Sequence, residues 1–499
     1  MKLLSTITFL FVFSSVIQAQ TIQVLDEETK KPIAGVAVFN DSKLTTGITD
    51  IDGNIDITNF SENEGITFQH ISHINRFLTK KEIISSGNTI ILSPAASSLD
   101  EVVLSISKFE QNKKEISQKI SSITSKDVLF TNPQTSADLL ERSGNVFIQK
   151  SQLGGGSPII RGFSTNRLLI AVDGTRFNNA IFRGGNVQSV ISIDPFSIER
   201  SEVILGPGSV VYGSDAIGGV MNFYTKNAKF SFKDGASVSG NFTTRYATAS
   251  SEKTGHVDLN LGLNEWAFLT SISYTDFGDL VMGKYGPDDY LRPEYVATIN
   301  GEDVLVINKD PRKQVSSGYK QINAMQKIRF MPSENWDFNL GFFYTTTSDY
   351  PRYDRLIRKK EGQLRSAVWD YTPQEWINGN LRITHKGSSL YDKSIFTLSY
   401  QNFKEGRRDR DFGDTILYET KEKVNAYTSA LDFIKKFGKS KLFYGLEYVY
   451  NKVNSVGKQT NLDDGATSET SPRYPDDSNW QSMAAYVSLQ SKVAANLSL

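Results

Sequence analysis

The chain has 499 residues, with 55 basic and 55 acidic side chains, four histidines and no cysteine. Balanced charge gives no global attraction to nucleic acid. The absence of cysteine excludes a disulfide framework, thiolate metal ligation, a cysteine nucleophile and a lipid-modified N-terminal cysteine. The length accommodates about three ordinary domains.

Residues 1–19 read as a secretory signal: Lys2 supplies the positive start, Leu3–Ile17 the apolar stretch, and Ala19 a small residue ahead of Gln20. That stretch is too short to span a bilayer as a helix, and beyond Gln20 there is no run of about 18 apolar residues. A membrane role for the mature chain therefore requires a closed β-barrel, which satisfies its own backbone in lipid.

Residues 20–93 predict a small β-sandwich. Strands are expected at Ile22–Leu25, Val36–Phe39, Gly53–Ile57, Ile66–Phe68 and Thr89–Leu92, split by turns such as Asp52-Gly53-Asn54. Pro32-Ile-Ala-Gly-Val36, Gly47-Ile-Thr-Asp50 and Gly53 together resemble carboxypeptidase-regulatory-like domains. Such domains often precede outer-membrane receptors of Bacteroidetes-like bacteria. Asp50 and Asp52 lack the closing bidentate glutamate of a calcium loop and read as a turn. His70 and His73, placed on one strand, would point to opposite faces and share no metal.

Residues 94–118 read as a linker, with Pro94 and small residues followed by a Lys/Glu/Gln-rich stretch. Within it Leu99, Asp100, Glu101, Val102, Val103, Leu104 and Ser105 form an extended, β-branched segment. A segment of that kind can add to a partner's open sheet edge through main-chain hydrogen bonds.

Residues 119–226 alternate short strands with dense glycine turns. A helix is expected over Ser136–Arg142, ended by Gly144, then strands at Val146–Lys150, Leu168–Val172 and Ser201–Ile204. Asp173-Gly174 sits where a hairpin turn needs positive φ. No GxxxxGK[ST] loop or βαβ frame surrounds the glycines. Arg161-Gly162, Val172-Asp173-Gly174-Thr-Arg176, Ile198-Glu-Arg200-Ser-Glu-Val-Ile204, Gly206-Pro-Gly208-Ser209 and Tyr212-Gly213-Ser-Asp215-Ala-Ile-Gly218-Gly219-Val-Met-Asn222 follow in order. Taken together they resemble the plug of TonB-dependent outer-membrane receptors.

The resemblance implies an α/β plug inside an antiparallel barrel of about 22 strands. It puts Leu99–Ser105 at the place of the TonB box, the segment offered to the energy-transducing TonB complex. It also makes Arg161, Glu199, Arg200 and Glu202 candidates for ion pairs holding the plug in a polar lumen. Exposed pairs contribute about 0–1 kcal/mol each, which suits a plug that must be released.

Residues 235–499 change to long alternating segments. Trp336, Phe338, Leu340, Phe342 and Tyr344 form one face, as do Leu442, Tyr444, Leu446, Tyr448 and Tyr450, and Val257, Leu259, Leu261 and Leu263. Apolar faces rich in aromatic residues and about ten residues long mark outer-membrane strands. Tight turns are expected near Asn264-Glu265, Pro332–Asn335, Lys386–Tyr391 and Phe437–Ser440, and long polar loops near 278–316, 349–372, 405–422 and 454–479. This gives about ten strands, the last near Trp480–Val493, with an eleventh starting at Asn496. The expectation is a mainly β chain that stops within its barrel, as a fragment or truncated frame, with unpaired sheet edges.

No catalytic constellation accompanies the four histidines, and Ser209 and Ser214 read as packing residues, so the sequence argues against an enzyme and against a resident cofactor or metal. The resemblance implies active import of a scarce ligand across the outer membrane. Asn166–Leu169, Val172–Asn178, Ala180–Gln188 and Ile193–Phe196 are similar to haem and haemoglobin receptors, implying haem or a ferric complex. Siderophores, cobalamin, oligosaccharides and a non-transporting surface-binding role are the alternatives. Candidate ligand contacts are Arg355, Arg358, Arg407 and Arg408, which with Arg352 and Arg410 suit an anion. Tyr353 is a loop tyrosine able to ligate haem iron, and His256 lies on a strand that reaches the vestibule or faces the polar lumen. Implied partners are the TonB complex, outer-membrane lipid and a ligand-capturing surface lipoprotein, with no nucleic acid.

Overall fold

The computed structural model describes residues 20–93 except 28, 41, 43, 71 and 72, then 102–104, 107–113, 116–182, 189–231, 235–387, 389–494 and 497–498. The expected signal, Leu99–Glu101, Ser105 and residues 183–188 lie outside the described residues. These residues fall into two compact units, one ending at Val102 and taking in 112–114, the other holding Val103–Gln111 and everything from Glu115 onward.

In the first unit, Thr21–Asp26 pairs antiparallel with Asn54–Asp56 and parallel with Thr89–Leu92. A second sheet runs in the order Thr46–Ile48, Ala37–Asn40, Gly65–His70, His73–Thr79. Alternating inward residues, among them Val24, Val38, Ile57, Ile66, Phe68, Ile90 and Leu92, form one buried core. All five expected strands are present. His73–Thr79 was not foreseen, because most of its side chains are exposed and its alternation is weak. It corrects the reading of the histidines: two strands, not one, carry them, and His70 stands directly opposite His73 across the pair. Asp50 accepts the backbone N–H groups of Asp52 and Asn54 at 3.0 and 2.7 Å, the side-chain-stabilised turn expected there.

The second unit contains a five-stranded mixed sheet in the order Ile120–Thr124, Ile198–Ile204, Gly219–Thr225, Leu168–Val172, Thr175–Arg176. Helix Ser136–Glu141 begins at the cap Thr135, whose hydroxyl and Asp138 close a reciprocal capping box, and Gly144 follows with φ 68°. The Asp173-Gly174 turn has φ 49° and 82°, so both central residues are left-handed, as a two-residue hairpin of this twist demands.

Ten long strands then form one antiparallel meander. They are β1 Ser237–Ala247, β2 Glu252–Gly262, β3 Trp266–Phe277, β4 Tyr319–Ser333, β5 Trp336–Thr347, β6 Ser366–Lys386, β7 Lys393–Asp411, β8 Ile416–Phe437, β9 Ser440–Asn461 and β10 Ser478–Ala494. Leu497–Ser498 begins a further strand on β10. Among the described residues β1 pairs only with β2, so the sheet is open. Every alternating face read from the sequence keeps its side. On β5, Phe342 and Tyr344 are exposed while Phe343 and Thr345 are buried; on β9, Leu446 and Tyr448 are exposed while Val449 and Asn451 are buried.

The connections need correction at three places. Residues 405–422 were expected as a loop, but β7 and β8 stay paired up to Asp409↔Tyr418, leaving a short turn. All of 366–372, also expected as loop, belongs to β6, and 454–461 of the loop expected over 454–479 belongs to β9. Polar and charged residues here alternate across a strand as apolar ones do below, and a hydrophobic pattern cannot register them.

Aromatic rings on the outward face gather at the short-turn end of the strands and again partway along them. At the short-turn end Trp266 stacks on Phe330 at 4.3 Å, and Tyr391, Phe433 and Tyr444 follow at 5.2 and 4.9 Å. About midway along β7 and β8, Tyr400 meets Tyr427 at 5.1 Å. From Trp266 to Tyr274 on β3 is about 27 Å of extended chain, or about 21 Å along the normal at the usual tilt, near the height of a lipid-facing band.

Candidate functional site: plug, wall anchors and docking segment

The plug core and the inward face of the long sheet form one apolar cluster. Ile170, Val172, Phe177, Met221 and Phe223 of the plug join Met325, Phe343, Trp376, Phe403 and Val424 of the wall. Phe177 sits edge-on to Trp376 and Phe403 at 5.2 and 5.3 Å. Around this cluster, polar side chains of the wall satisfy plug backbone. Gln321 donates to the Ile191 carbonyl at 2.7 Å, Thr345 to that of Ser192 at 2.8 Å, and Gln401 to that of Arg176 at 2.9 Å. Irregular plug backbone thus finds the partners it would otherwise lack when buried.

Charged anchors lie among these contacts. Arg176 pairs with Asp215 at 2.6 Å and reaches Glu447 of β9 at 3.1 Å, while donating to the Tyr212 carbonyl. Lys327 of β4 pairs with Asp173 at 2.8 Å, and Asp173 also accepts from the Thr225 amide and hydroxyl. Lys226 pairs with Asp258 at 2.9 Å. Of the ion-pair candidates named from sequence, Arg200 and Glu202 do pair, at 2.9 Å, within the plug. Arg161, in the left-handed region at φ 48°, and Glu199 are exposed. The wall-facing anchors Arg176, Lys327 and Glu447 were missed, since no local pattern marks which lumenal charge will meet which plug charge.

The remaining plug-motif residues hold the fold. Tyr212 is buried, accepts from Asn222 at 3.2 Å, and burial pushes its phenol above the usual range. The bends at Gly206, Gly213 and Gly219 carry positive φ, Gly208 and Gly218 accept no side chain without displacing Val220 or Phe163, and Gly162 closes the bend after Arg161.

The described part of the segment ahead of the plug is held at two points. The Leu104 amide donates to both carboxylate oxygens of Glu202, at 3.2 and 3.0 Å, and that carboxylate is fully buried. Four residues on, Lys108 pairs with Asp432 of β8 at 3.0 Å and lies 3.9 Å from Glu447. Phe109 packs with Ile395, Ile434 and Phe443, and Gln111 donates to Gln490. Val102–Val103 is a two-residue strand. Leu104 also borders a polar cavity of about 540 Å³ between plug and wall, lined by Asp173, Arg200, Tyr224, Lys327 and Arg382.

At the long-loop end the arginines are largely engaged with carboxylates. Arg408 bridges Asp349 and Asp370 at 2.9 and 2.8 Å, and Arg352 pairs with Asp354 at 2.8 Å. Arg410 clasps Asp303 of the hairpin Glu294–Ile307 at 2.6 and 2.7 Å. Burial opposes ionisation of Asp303, but hydrogen bonds from Arg410, the Gly413 amide and Thr298 outweigh it and hold the carboxyl below its usual range. Arg355 and Arg358 lie 3.9 and 3.8 Å from Asp354. Arg407 rests over Tyr371 at 5.4 Å, and Tyr353 lies under Arg292 at 5.3 Å. The arginines named as ligand contacts are thus in part engaged within the protein, with Arg352, Arg355 and Arg358 sharing Asp354. His256 is buried, stacked on Phe196 of the plug at 4.7 Å and bonded to Ser273 and Asp258, which makes it part of the plug–wall contact. His385 lies at the short-turn end beside Trp336.

Comparison with known proteins agrees with this architecture. Residues 112–220 match the TonB-dependent receptor plug domain family. The chain is 24% identical over 368 residues to the vitamin B12 transporter BtuB of Photobacterium profundum, covering 73% of this chain and 52% of that protein. Over 136 residues it is 39% identical to BtuB of Vibrio vulnificus, covering 26% of this chain and 22% of that protein. Among solved structures, the copper transporter OprC superposes with a TM-score of 0.58 at 14% identity, over 75% of this chain and 53% of that one. FpvA of Pseudomonas aeruginosa, bound to heterologous pyoverdines, superposes with a TM-score of 0.53 at 12% identity, over 87% of this chain and 59% of that one. The chain carries a TonB-dependent receptor plug domain set against a large antiparallel sheet, which is the fold of TonB-dependent receptors. It spans about half the length of the first curated relative it matches. These similar proteins are transporters and receptors, not enzymes.

Proposed function

We propose that this chain is the plug-bearing part of an outer-membrane receptor that imports a metal chelate under TonB control. The observation that carries the reading is the double hold on residues 104–111, by Glu202 on the plug and by Asp432 on the wall. A segment so placed transmits a pull on its upstream end to both bodies. Residues 99–105 act as the TonB box, an extended strand that pairs with the transducer's sheet edge. The exposed aromatic bands meet lipid, and the wall completes to a closed barrel of about 22 strands in the whole protein.

The ligand class follows the similar proteins, which handle vitamin B12, copper or pyoverdines. A ferric siderophore or a cobalamin is favoured. Haem rests on the likeness of the plug motifs alone. Residues 20–93 serve as a carboxypeptidase-regulatory-like periplasmic domain, and residues 1–19 direct export. A surface lipoprotein that delivers the ligand remains a proposed partner.

The test is uptake of labelled ferric siderophore, cyanocobalamin and haem by cells carrying the full-length gene. One of the three should accumulate, with loss on dissipating the proton gradient and on deleting residues 99–105. Undiminished uptake after that deletion would show that the segment is not the coupling element.

A further inference from the structure

We propose that His70 and His73 bind a divalent transition-metal ion, Cu²⁺ or Ni²⁺, through their two Nδ1 atoms. The pair closes the hairpin between the strands Gly65–His70 and His73–Thr79, where the two residues stand opposite each other. Their Nδ1 atoms face one another at 3.0 Å, with ring centroids 5.1 Å apart. With metal–nitrogen bonds of about 2.05 Å, that separation subtends roughly 94° at the metal. A cis angle near 90° suits square-planar or octahedral ions and falls short of the tetrahedral angle zinc prefers.

The support behind one ligand is already built. His73 Nε2 lies 2.9 Å from Asp26 Oδ2, while Asp26 Oδ1 accepts from the Thr29 amide and hydroxyl. With Asp26 holding the Nε2 proton, His73 Nδ1 carries the lone pair, the carboxylate–histidine arrangement that orients a metal-ligating imidazole. On binding, His70 takes the tautomer with its proton on Nε2, so that its Nδ1 lone pair also serves the metal. Two protein nitrogens leave the other positions to water, since among the described residues no third His, Asp or Glu completes the set. The arrangement lies wholly in the N-terminal unit and is independent of the transport proposal.

The experiment uses the full chain in detergent micelles, titrated with Cu²⁺ and followed by electron paramagnetic resonance and by diethyl pyrocarbonate labelling read by mass spectrometry. The expected result is one equivalent with two-nitrogen coupling, with Cu²⁺ protecting His70 and His73 from modification at least tenfold. His70→Gln and His73→Gln each abolish that signal, Asp26→Asn weakens affinity about 10- to 100-fold, and His385→Gln leaves it unchanged. Equal labelling of His70 and His73 with and without Cu²⁺ in the unmodified chain would overturn the proposal, and needs no variant to fold.

Discussion

The amide of Leu104 is held by the buried carboxylate of Glu202, with both oxygens within 3.2 Å. The bond joins the end of the proposed docking segment to Ile198–Ile204, an inner strand of the plug sheet. Drawing Leu104 away strips a donor from a fully buried carboxylate, and such a group is costly to leave under-satisfied. Glu202→Gln removes the charge and keeps an acceptor, so the bond should weaken by about 1–1.5 kcal/mol. That corresponds to about a tenfold larger population of released segment. The chain has no cysteine, so a spin label at Val103→Cys reports on this site alone. Equal label mobility with Glu or Gln at position 202 would count against the latch.

Lys108 and Asp432 make the second hold, with side chains 11% and 3% exposed. Asp432 also accepts from the Tyr486 hydroxyl at 2.9 Å. Lys108→Met leaves a buried carboxylate without its cation and should cost about 3–5 kcal/mol. Lys108→Met with Asp432→Asn should recover much of that loss. A double-mutant cycle on denaturant unfolding measures the coupling, and a value near zero would mean that the pair is incidental.

Arg176 ties the plug to itself through Asp215 and to the wall through Glu447. Arg176→Lys keeps one charge but cannot fork to both carboxylates and the Tyr212 carbonyl. Protease sensitivity of the plug should rise several-fold while the heat-resistant sheet signal in detergent stays put. Simultaneous loss of both would assign Arg176 to global folding instead.

Gly154 allows the plug apex to lie against wall tyrosines. A Cβ at this position would come within 3.0 Å of Tyr350 and 3.2 Å of Tyr319. Gly154→Val should cost about 1–3 kcal/mol through overpacking. Denaturant melts of the variant would show no change if the apex can back away.

The Asp303–Arg410 clasp gives a pH dependence. The carboxyl is held below its ordinary range, so its contribution is complete above the unfolded value near 4 and is lost as pH falls through the lower folded value. Hydrogen exchange of residues 294–307 should therefore be flat from pH 7 to pH 5, once corrected for intrinsic rates, and should quicken below about pH 4. In Asp303→Asn that acid step should vanish, with faster exchange at every pH.

Local rules made much of this protein readable as a string. Period-two alternation placed nearly every outward and inward residue of β2, β5 and β9, because a pleated strand allows no other choice. Asp173-Gly174 announced its turn, since few residue pairs tolerate two left-handed conformations in succession. The glycine-rich motifs marked the plug, which the family match covers over residues 112–220. Misreadings fell where charge replaced hydrophobicity. Arg407, Arg408 and Arg410 looked like a loose cationic loop but sit on a paired strand, and two of them are clasped by aspartates distant in sequence. The His70–His73 pair was misjudged because the two residues stand on separate, paired strands rather than on one, so the alternation rule for a single strand does not relate them.

The amino-acid order by itself determined strand identity, face and turn, each a matter of a few neighbouring residues. Only the tertiary structure decided which charges meet: Arg176 with Glu447, Lys108 with Asp432, Lys327 with Asp173. Those pairs join positions 154 to 324 residues apart along the chain, by subtraction of their numbers. Coulomb attraction acts through space, and nothing in a local pattern records which carboxylate the fold will bring near.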